Sequence, residues 1–422
     1  MLEPYAALAE RACAGDAPSE AQCLWILEGD DLDLLPLLQA AFAPRRKHFG
    51  RRVMVHVLNN VQNGLCPEDC GYCSQNKDST APIRKYSMKS EHEILAEAEA
   101  AARAGASRYC MVMSGRGPTI AGAKRLAEIV RKVKQQYPIE VCLSIGLLGT
   151  EHARILADAG LDRLNHNLNT SETNYDKICS THTYQDRIDT LRAAKQCGIE
   201  PCSGLIVGMG ETSKDLIEVA LRLRELEVPS IPVNFLIPIE GNQITDDGSL
   251  TPEHCLRTLC LMRLVNPAAE IRVAAGREGH LRSLEALALY PANSLFVDGY
   301  LTTRGDPVGQ TYRMIRDAGF EIDGNPLYDT TRDNARGAET FEIPGGGTEL
   351  LRPETIARPT TEHLGSSRRP ASQVASTRRS RSSTTRSARA PLRRVPRCDS
   401  IPSTRAGRRL TAATASRSST PL

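Results

Sequence analysis

Between about residue 50 and residue 320 the chain alternates short β-like apolar runs with longer stretches of helical periodicity. This repeat constrains the fold more than any other feature. Eight runs read as strands: 53–58, 109–113, 140–145, 163–168, 201–207, 231–237, 271–275 and 295–297. The stretches between them place apolar residues on one helical face. One brings Tyr184, Ile188 and Leu191 together and ends at Gly198; another brings together Leu216, Val219, Ala220, Leu223 and Leu226. Thr212 followed by Asp215 is a capping-box signal at the head of the second. Eight such units in about 270 residues predict an α/β protein, a (β/α)8 TIM-type barrel with its active site at the C-terminal ends of the strands. An open doubly wound sheet is the alternative.

The flanks read differently. Residues 1–49 predict N-terminal helices capping the barrel, and the barrel itself spans 50–324. Residues 325–350, with Gly345-Gly346-Gly347, read as a linker. Residues 351–422 carry 16 Arg, no Lys, three acids and no aromatic residue, which predicts a disordered Arg/Ser-rich tail. That segment holds +13 against a whole-chain net of +3, leaving −10 for residues 1–350. An acidic body excludes nucleic acid as the partner of the whole chain. Sixteen basic residues without a lysine look more like GC-rich sequence read out of frame than an RNA- or membrane-binding arm. No run reaches the roughly 18 uncharged apolar residues of a membrane span. The acidic start lacks a signal-peptide pattern, so the 13 cysteines point to metal or redox chemistry in a reducing cytoplasm.

The chemistry concentrates in Cys66-Pro67-Glu68-Asp69-Cys70-Gly71-Tyr72-Cys73, three cysteines at C-x3-C-x2-C just after the first predicted strand. A structural zinc site wants four ligands, and no second C-x2-C follows. Three close thiolates suit three irons of a 4Fe–4S cube, with the fourth iron open to another ligand. Zinc and a chance group of reduced thiols are the alternatives. In Arg163-Leu164-Asn165-His166-Asn167-Leu168-Asn169, strand alternation puts the three asparagines on one face and Leu164, His166 and Leu168 on the other. Asn234 repeats the pattern against Val233, Phe235 and Ile237. Amides both donate and accept, so a polar lumen of this kind suits a ligand such as a cyclic urea. Gly204 to Gly210 ends a strand with glycines that allow close backbone approach.

The C-x3-C-x2-C loop, with an aromatic residue before its third cysteine, resembles the radical S-adenosylmethionine (SAM) superfamily. CPEDCGYCSQ, RYCMVMSGRGP, EVCLSIG, NHNLNTSETNY, YQDRIDTL, PCSGLIVGMGET, IPVNFLIP, IRVAAGRE and NSLFVDGYLTT are similar, in order and spacing, to the biotin synthase family, over about residues 51–324. The resemblance implies radical-driven sulfur insertion into dethiobiotin, with another barrel-type radical SAM enzyme lacking that step as the alternative. It implies a 4Fe–4S cluster on Cys66, Cys70 and Cys73, and a 2Fe–2S cluster on Cys110, Cys142, Cys202 and Arg272. Arg is an unusual iron ligand because its solution pKa exceeds about 12. The resemblance places SAM against Tyr72, Asn167, Asn169 and Gly208, and dethiobiotin against Asn165, Asn167, Asn234, Thr302 and Thr303. Asn169 stands where the family often has Asp. A small electron-donor protein of flavodoxin or ferredoxin type and a homodimer are implied as well. Cys13, Cys23, Cys179, Cys197, Cys255, Cys260 and Cys398 are given no role, and His152, His166, His182 and His280 show no metal-ligand spacing.

Overall fold

The computed structural model describes residues 3–30, 33–245, 248 and 250–327. Ten strands run along it: β1 Arg52–Gln62, β2 Arg108–Met113, β3 Glu140–Ser144, β4 Arg163–Asn165, β5 Glu200–Cys202, β6 Leu205–Val207, β7 Ser230–Phe235, β8 Glu270–Val273, β9 Ser294–Val297 and β10 Glu321–Asp323. Every pairing among them is parallel, and β9 returns to β1 through Met54–Ser294 to Val57–Val297. The sheet therefore closes. β5 and β6 together make one stave of the cylinder: β5 pairs with β4 and β7, and β6 continues along β7. The result is an eight-stave parallel barrel of TIM type.

The patterning explains the layers. β8 and β9 are buried along their whole length and β2 over its first five residues, as strands between the barrel interior and a helical coat must be. The coat helices bury one stripe each. Ile120–Gln136 buries Ala123, Leu126, Ala127, Val130 and Val133, three or four residues apart. Tyr184–Gln196 buries Tyr184, Ile188 and Leu191, and Ser213–Glu225 buries Leu216, Val219, Ala220 and Leu223, with Leu226 capping its end. The Thr212–Asp215 capping box is present, each side chain accepting from the other's backbone N–H.

Three expectations need correction. The strand read over 163–168 stops at Asn165: beyond it Leu168 N–H turns to the Ser203 hydroxyl, and Asn169, with a left-handed backbone (φ 69°), makes only an isolated bridge to Leu205. The strand read over 201–207 breaks between Cys202 and Leu205. At the break, a Cβ on Gly204 would stand 1.8 Å from the Pro232 carbonyl oxygen, so only glycine lets β7 pass. β10 is an additional strand on the start of β1, from Arg52–Glu321 to Met54–Asp323.

The first 49 residues do form helices, Glu3–Ala14, Glu20–Glu28 and Leu34–Phe49. They pack mainly on helices Pro252–Val265 and Ser213–Glu225. Hence Pro252–Val265 is buried without interruption from Cys255 to Val265: it is covered on both sides. The third helix reaches the N-terminal rim through Arg45, which donates to the Ala292, Gly50 and Arg52 carbonyls. Residues 328–350 of the expected linker, and all of 351–422 with Cys398, lie outside the described residues. Among the described residues no helix is long and apolar enough to cross a membrane.

Candidate active site: a thiol-lined cavity along the barrel axis

A cavity of about 350 Å³ opens at the C-terminal face and runs inward from Cys66, Cys70 and Cys73 to Cys110, Cys142 and Arg272. The loop after β1 carries the first three. It is pinned by Gly71 N–H to the Ile178 carbonyl (2.9 Å), Cys73 N–H to the Cys70 carbonyl (2.9 Å) and the Asn76 amide to the Cys70 carbonyl (2.8 Å). Asp69 accepts from Ser180 N–H (3.0 Å) and Thr181 N–H (3.2 Å), tying the loop to the segment after β4. Burial pushes the Cys66 thiol up and the Cys73 thiol up to about 11, so a metal held there would have to displace their protons.

Residues without an expected role crowd this mouth. Arg187, fully buried, donates to the Asn167 carbonyl (2.7 Å), to His182 Nε2 (2.8 Å) and to the Tyr175 hydroxyl. A guanidinium only donates, so His182 Nε2 accepts and its Nδ1–H donates to Glu68 (2.7 Å). Glu68 also pairs with Arg116 at 3.1 Å. Cys179 Sγ lies 3.7 Å from Cys70 Sγ, 3.3 Å from His182 Nδ1 and 3.3 Å from Asp69 Oδ1. The hydrogen bond between Cys70 and Cys179 pushes Cys70 up and draws Cys179 down against burial, the His182 N–H assisting. Among the described residues, Cys70, Cys179 and His182 are the metal-type ligands close enough together for a single ion. The three loop cysteines do not form such a close group. The Cys179-x2-His182 spacing in a loop after a strand was the available signal for this pair.

Midway along the cavity, Asn165 donates to Asn167 Oδ1 (3.1 Å), which also accepts from Gly204 N–H (3.1 Å). Asn169 donates to the Tyr72 hydroxyl at 2.5 Å. Asn234 donates to the Leu205 carbonyl (3.0 Å) and accepts from Ala275 N–H (3.2 Å). Thr302 and Thr303 line the same space, as do Phe296 and Tyr300. His166 lines it too, although alternation assigned it to the opposite face; the early end of β4 releases it. Gly208 is outside the lining. Its φ of 101° and a Cβ position 2.6 Å from Leu250 account for the glycine.

At the floor, Cys110 and Cys142 are register partners on β2 and β3. Cys202 on β5 receives the Asn165 amide at 3.4 Å and Arg272 Nη1 at 3.7 Å. The Cys142 thiol pulls Cys110 down, with burial opposing and Arg272 and Arg108 helping. Beneath them Glu270 meets Arg272 Nη2 (2.5 Å), Arg108 Nη2 (3.1 Å), His56 Nε2 (2.9 Å) and Ser294 Oγ (2.8 Å). Burial and then the two arginines hold His56 neutral, its pKa down to about 3. Burial works against the Glu270 charge, yet Arg272 and Arg108 keep it ionised. Three buried thiols, a guanidinium edge facing them and a buried, unpartnered Arg272 Nε form a donor set suited to a small iron–sulfur cluster.

A closed parallel barrel with a three-thiol loop at its C-terminal face defines a radical SAM enzyme, and the Radical SAM superfamily model matches residues 62–223. The Biotin and Thiamin Synthesis associated domain matches 232–321. The biotin synthase of Acaryochloris marina is 59% identical over 305 residues, 72% of this chain and 88% of that protein. That of Magnetococcus marinus is 52% identical, covering 75% and 98%. The chain belongs to the biotin synthase family, and thus to the enzymes that hold a 4Fe–4S cluster and SAM. Among solved structures, methylornithine synthase shares the fold at a TM-score of 0.65 with 20% identity, covering 75% of this chain and 97% of that one. The FeFe-hydrogenase maturase from Carboxydothermus hydrogenoformans does so at 0.64 and 18%, covering 76% and 79%.

Proposed function

We propose that the cavity inserts sulfur into dethiobiotin, converting it to biotin, with the two ends of the lumen serving two different clusters. The observation that carries this reading is the single cavity joining a thiol loop at the mouth to a second thiol set at the floor, with amides between. When bound, the 4Fe–4S cluster and SAM supply a carbon-centred radical and the 2Fe–2S cluster supplies sulfur. Cys66, Cys70 and Cys73 would hold the first group; Cys110, Cys142, Cys202 and Arg272 would hold the second. Asn165, Asn167 and Asn234 would orient the ureido ring by donating and accepting, and Thr302 and Thr303 would receive the carboxylate tail. Tyr72, Asn167 and Asn169 would bear on SAM, Asn169 without the charge assistance of an Asp. The floor thiols are buried, and a buried site limits the water that could quench a reactive radical.

Family resemblance supports a small flavodoxin- or ferredoxin-type electron donor, a homodimer and a cytoplasmic location. The same reading assigns residues 50–324 as the catalytic unit. Anaerobic reconstitution with iron, sulfide, SAM, reductant and dethiobiotin tests the proposal. Biotin with 5′-deoxyadenosine is the expected product pair. 5′-Deoxyadenosine alone, from protein holding both clusters, would favour a radical SAM enzyme that inserts no sulfur.

A further inference from the structure

Glu270 and Arg272 are two residues apart on β8 and so share the lumen face of the strand. The guanidinium is held on one edge. Its Nη2 donates to Glu270 (2.5 Å) and to Ser230 Oγ (2.9 Å), and its Cζ lies 5.0 Å from the Phe296 ring centroid. Nη1 is left pointing at Cys202 Sγ, 3.7 Å away. Arg108 has a second carboxylate in Glu140 (2.8 Å), whereas among the described residues Glu270 is the carboxylate that Arg272 pairs with. Arg108 and Arg272 would repel each other across the floor without the anion between them. Glu270 is itself fixed from three other strands, by His56 on β1, Arg108 on β2 and Ser294 on β9.

We propose that Glu270 is a positioning residue for the floor metal site, holding Arg272 so that Nη1 is the nitrogen presented to Cys110, Cys142 and Cys202. The inference rests on the 2Fe–2S reading above. Carboxylate partners of metal ligands fix ligand orientation, and their loss costs about 10- to 100-fold in metal affinity. Glu270→Gln keeps the volume but turns one oxygen into an N–H2 group facing the donors of Arg108, Arg272, His56 and Ser294. Arg272 is then released to swing.

The test uses the reconstituted holoenzyme, with Glu270→Gln and the charge-retaining Glu270→Asp beside the parent. Iron and sulfide content, visible absorption and iron release to a chelator are measured, with circular dichroism to verify the fold. The expected result is an altered 2Fe–2S absorption envelope and about tenfold faster release of that cluster's iron in Glu270→Gln. Glu270→Asp should fall between it and the parent, with the 4Fe–4S content retained in both. A parent that contains the second cluster alongside variants with its spectrum and release rate would overturn the inference alone. Equal loss of both clusters from folded variants would overturn it too, by showing a general structural role. A parent with only the first cluster would overturn the 2Fe–2S reading and the inference with it.

Discussion

Replacing Cys142 with Ala separates the two ends of the cavity. Cys142 is buried on β3 opposite Cys110, and its thiol interacts with both Cys110 and Cys202. Removing one buried sulfur costs about 1–2 kcal/mol in transfer and cavity terms, well inside the usual 5–15 kcal/mol of a folded domain. The barrel should therefore persist. The triad loop is pinned by Asn76, Ile178, Ser180 and Thr181, none of which touches Cys142, so the 4Fe–4S site should load. Of about six irons per reconstituted chain, about two should be missing. Anaerobic incubation with SAM, reductant and dethiobiotin, followed by chromatography, should show continued 5′-deoxyadenosine release with little or no biotin. Reduced or desaturated dethiobiotin is expected from the stranded substrate radical. Biotin at parental stoichiometry from a variant verified to lack the second cluster would refute the reasoning, because the sulfur would then come from elsewhere.

Cys66→Ala, Cys70→Ala and Cys73→Ala should each abolish SAM cleavage, and 5′-deoxyadenosine at the parental rate in any of them would contradict the triad. Arg187→Met leaves the Asn167 carbonyl and His182 Nε2 without their buried donor; urea unfolding should show a loss of about 2–4 kcal/mol. His56 is neutral in the fold with a pKa of about 3, against about 6.5 unfolded. Between those values the unfolded chain binds a proton that the native state does not, so stability falls as pH drops through this window, by up to about 1.4 kcal/mol per unit. Chemical unfolding from pH 4.5 to 7 should show a shallower dependence in His56→Gln. Deleting residues 351–422 should leave activity and melting temperature unchanged, since the family matches end at residue 321; loss of iron on truncation would count against it.

Much of the barrel was legible because its strands and helices differ in period. The coat helix with Leu216, Val219, Ala220 and Leu223 inward announced both its face and its capped start. Alternation failed where the backbone left the strand. Asn165 and Asn167 reach one space across the end of β4, and Asn169 meets Tyr72 only because its left-handed turn swings it there. Period 2 cannot foresee such a turn. Nor could local pattern reveal the floor network: Glu270 and Arg272 are neighbours in sequence, but Arg108 lies 162 residues from Glu270 and His56 lies 214 away. The glycine at 208 is required by its own backbone, a φ of 101°, which the strand pattern does not announce. Cys179 and His182 looked unremarkable because their partners, Cys70 and Glu68, lie over a hundred residues upstream.

The closure of β9 on β1 has a consequence for where this chain can be cut. The two matched family segments, 62–223 and 232–321, meet between the helix Ser213–Glu225 and β7, a boundary that falls within one cylinder. A fragment ending there would keep β1 to β6 but lose β7, β8 and β9. It would expose the open edges of β1 and of β5 and β6, rows of unpaired backbone groups that invite intermolecular pairing. It would also leave Arg108 and His56 without Glu270. The complementary fragment would hold three barrel strands and no sheet to join. During synthesis the nascent chain must therefore carry an unsealed sheet until residue 297 has emerged, and neither half is a unit that recombination could pass to another protein intact.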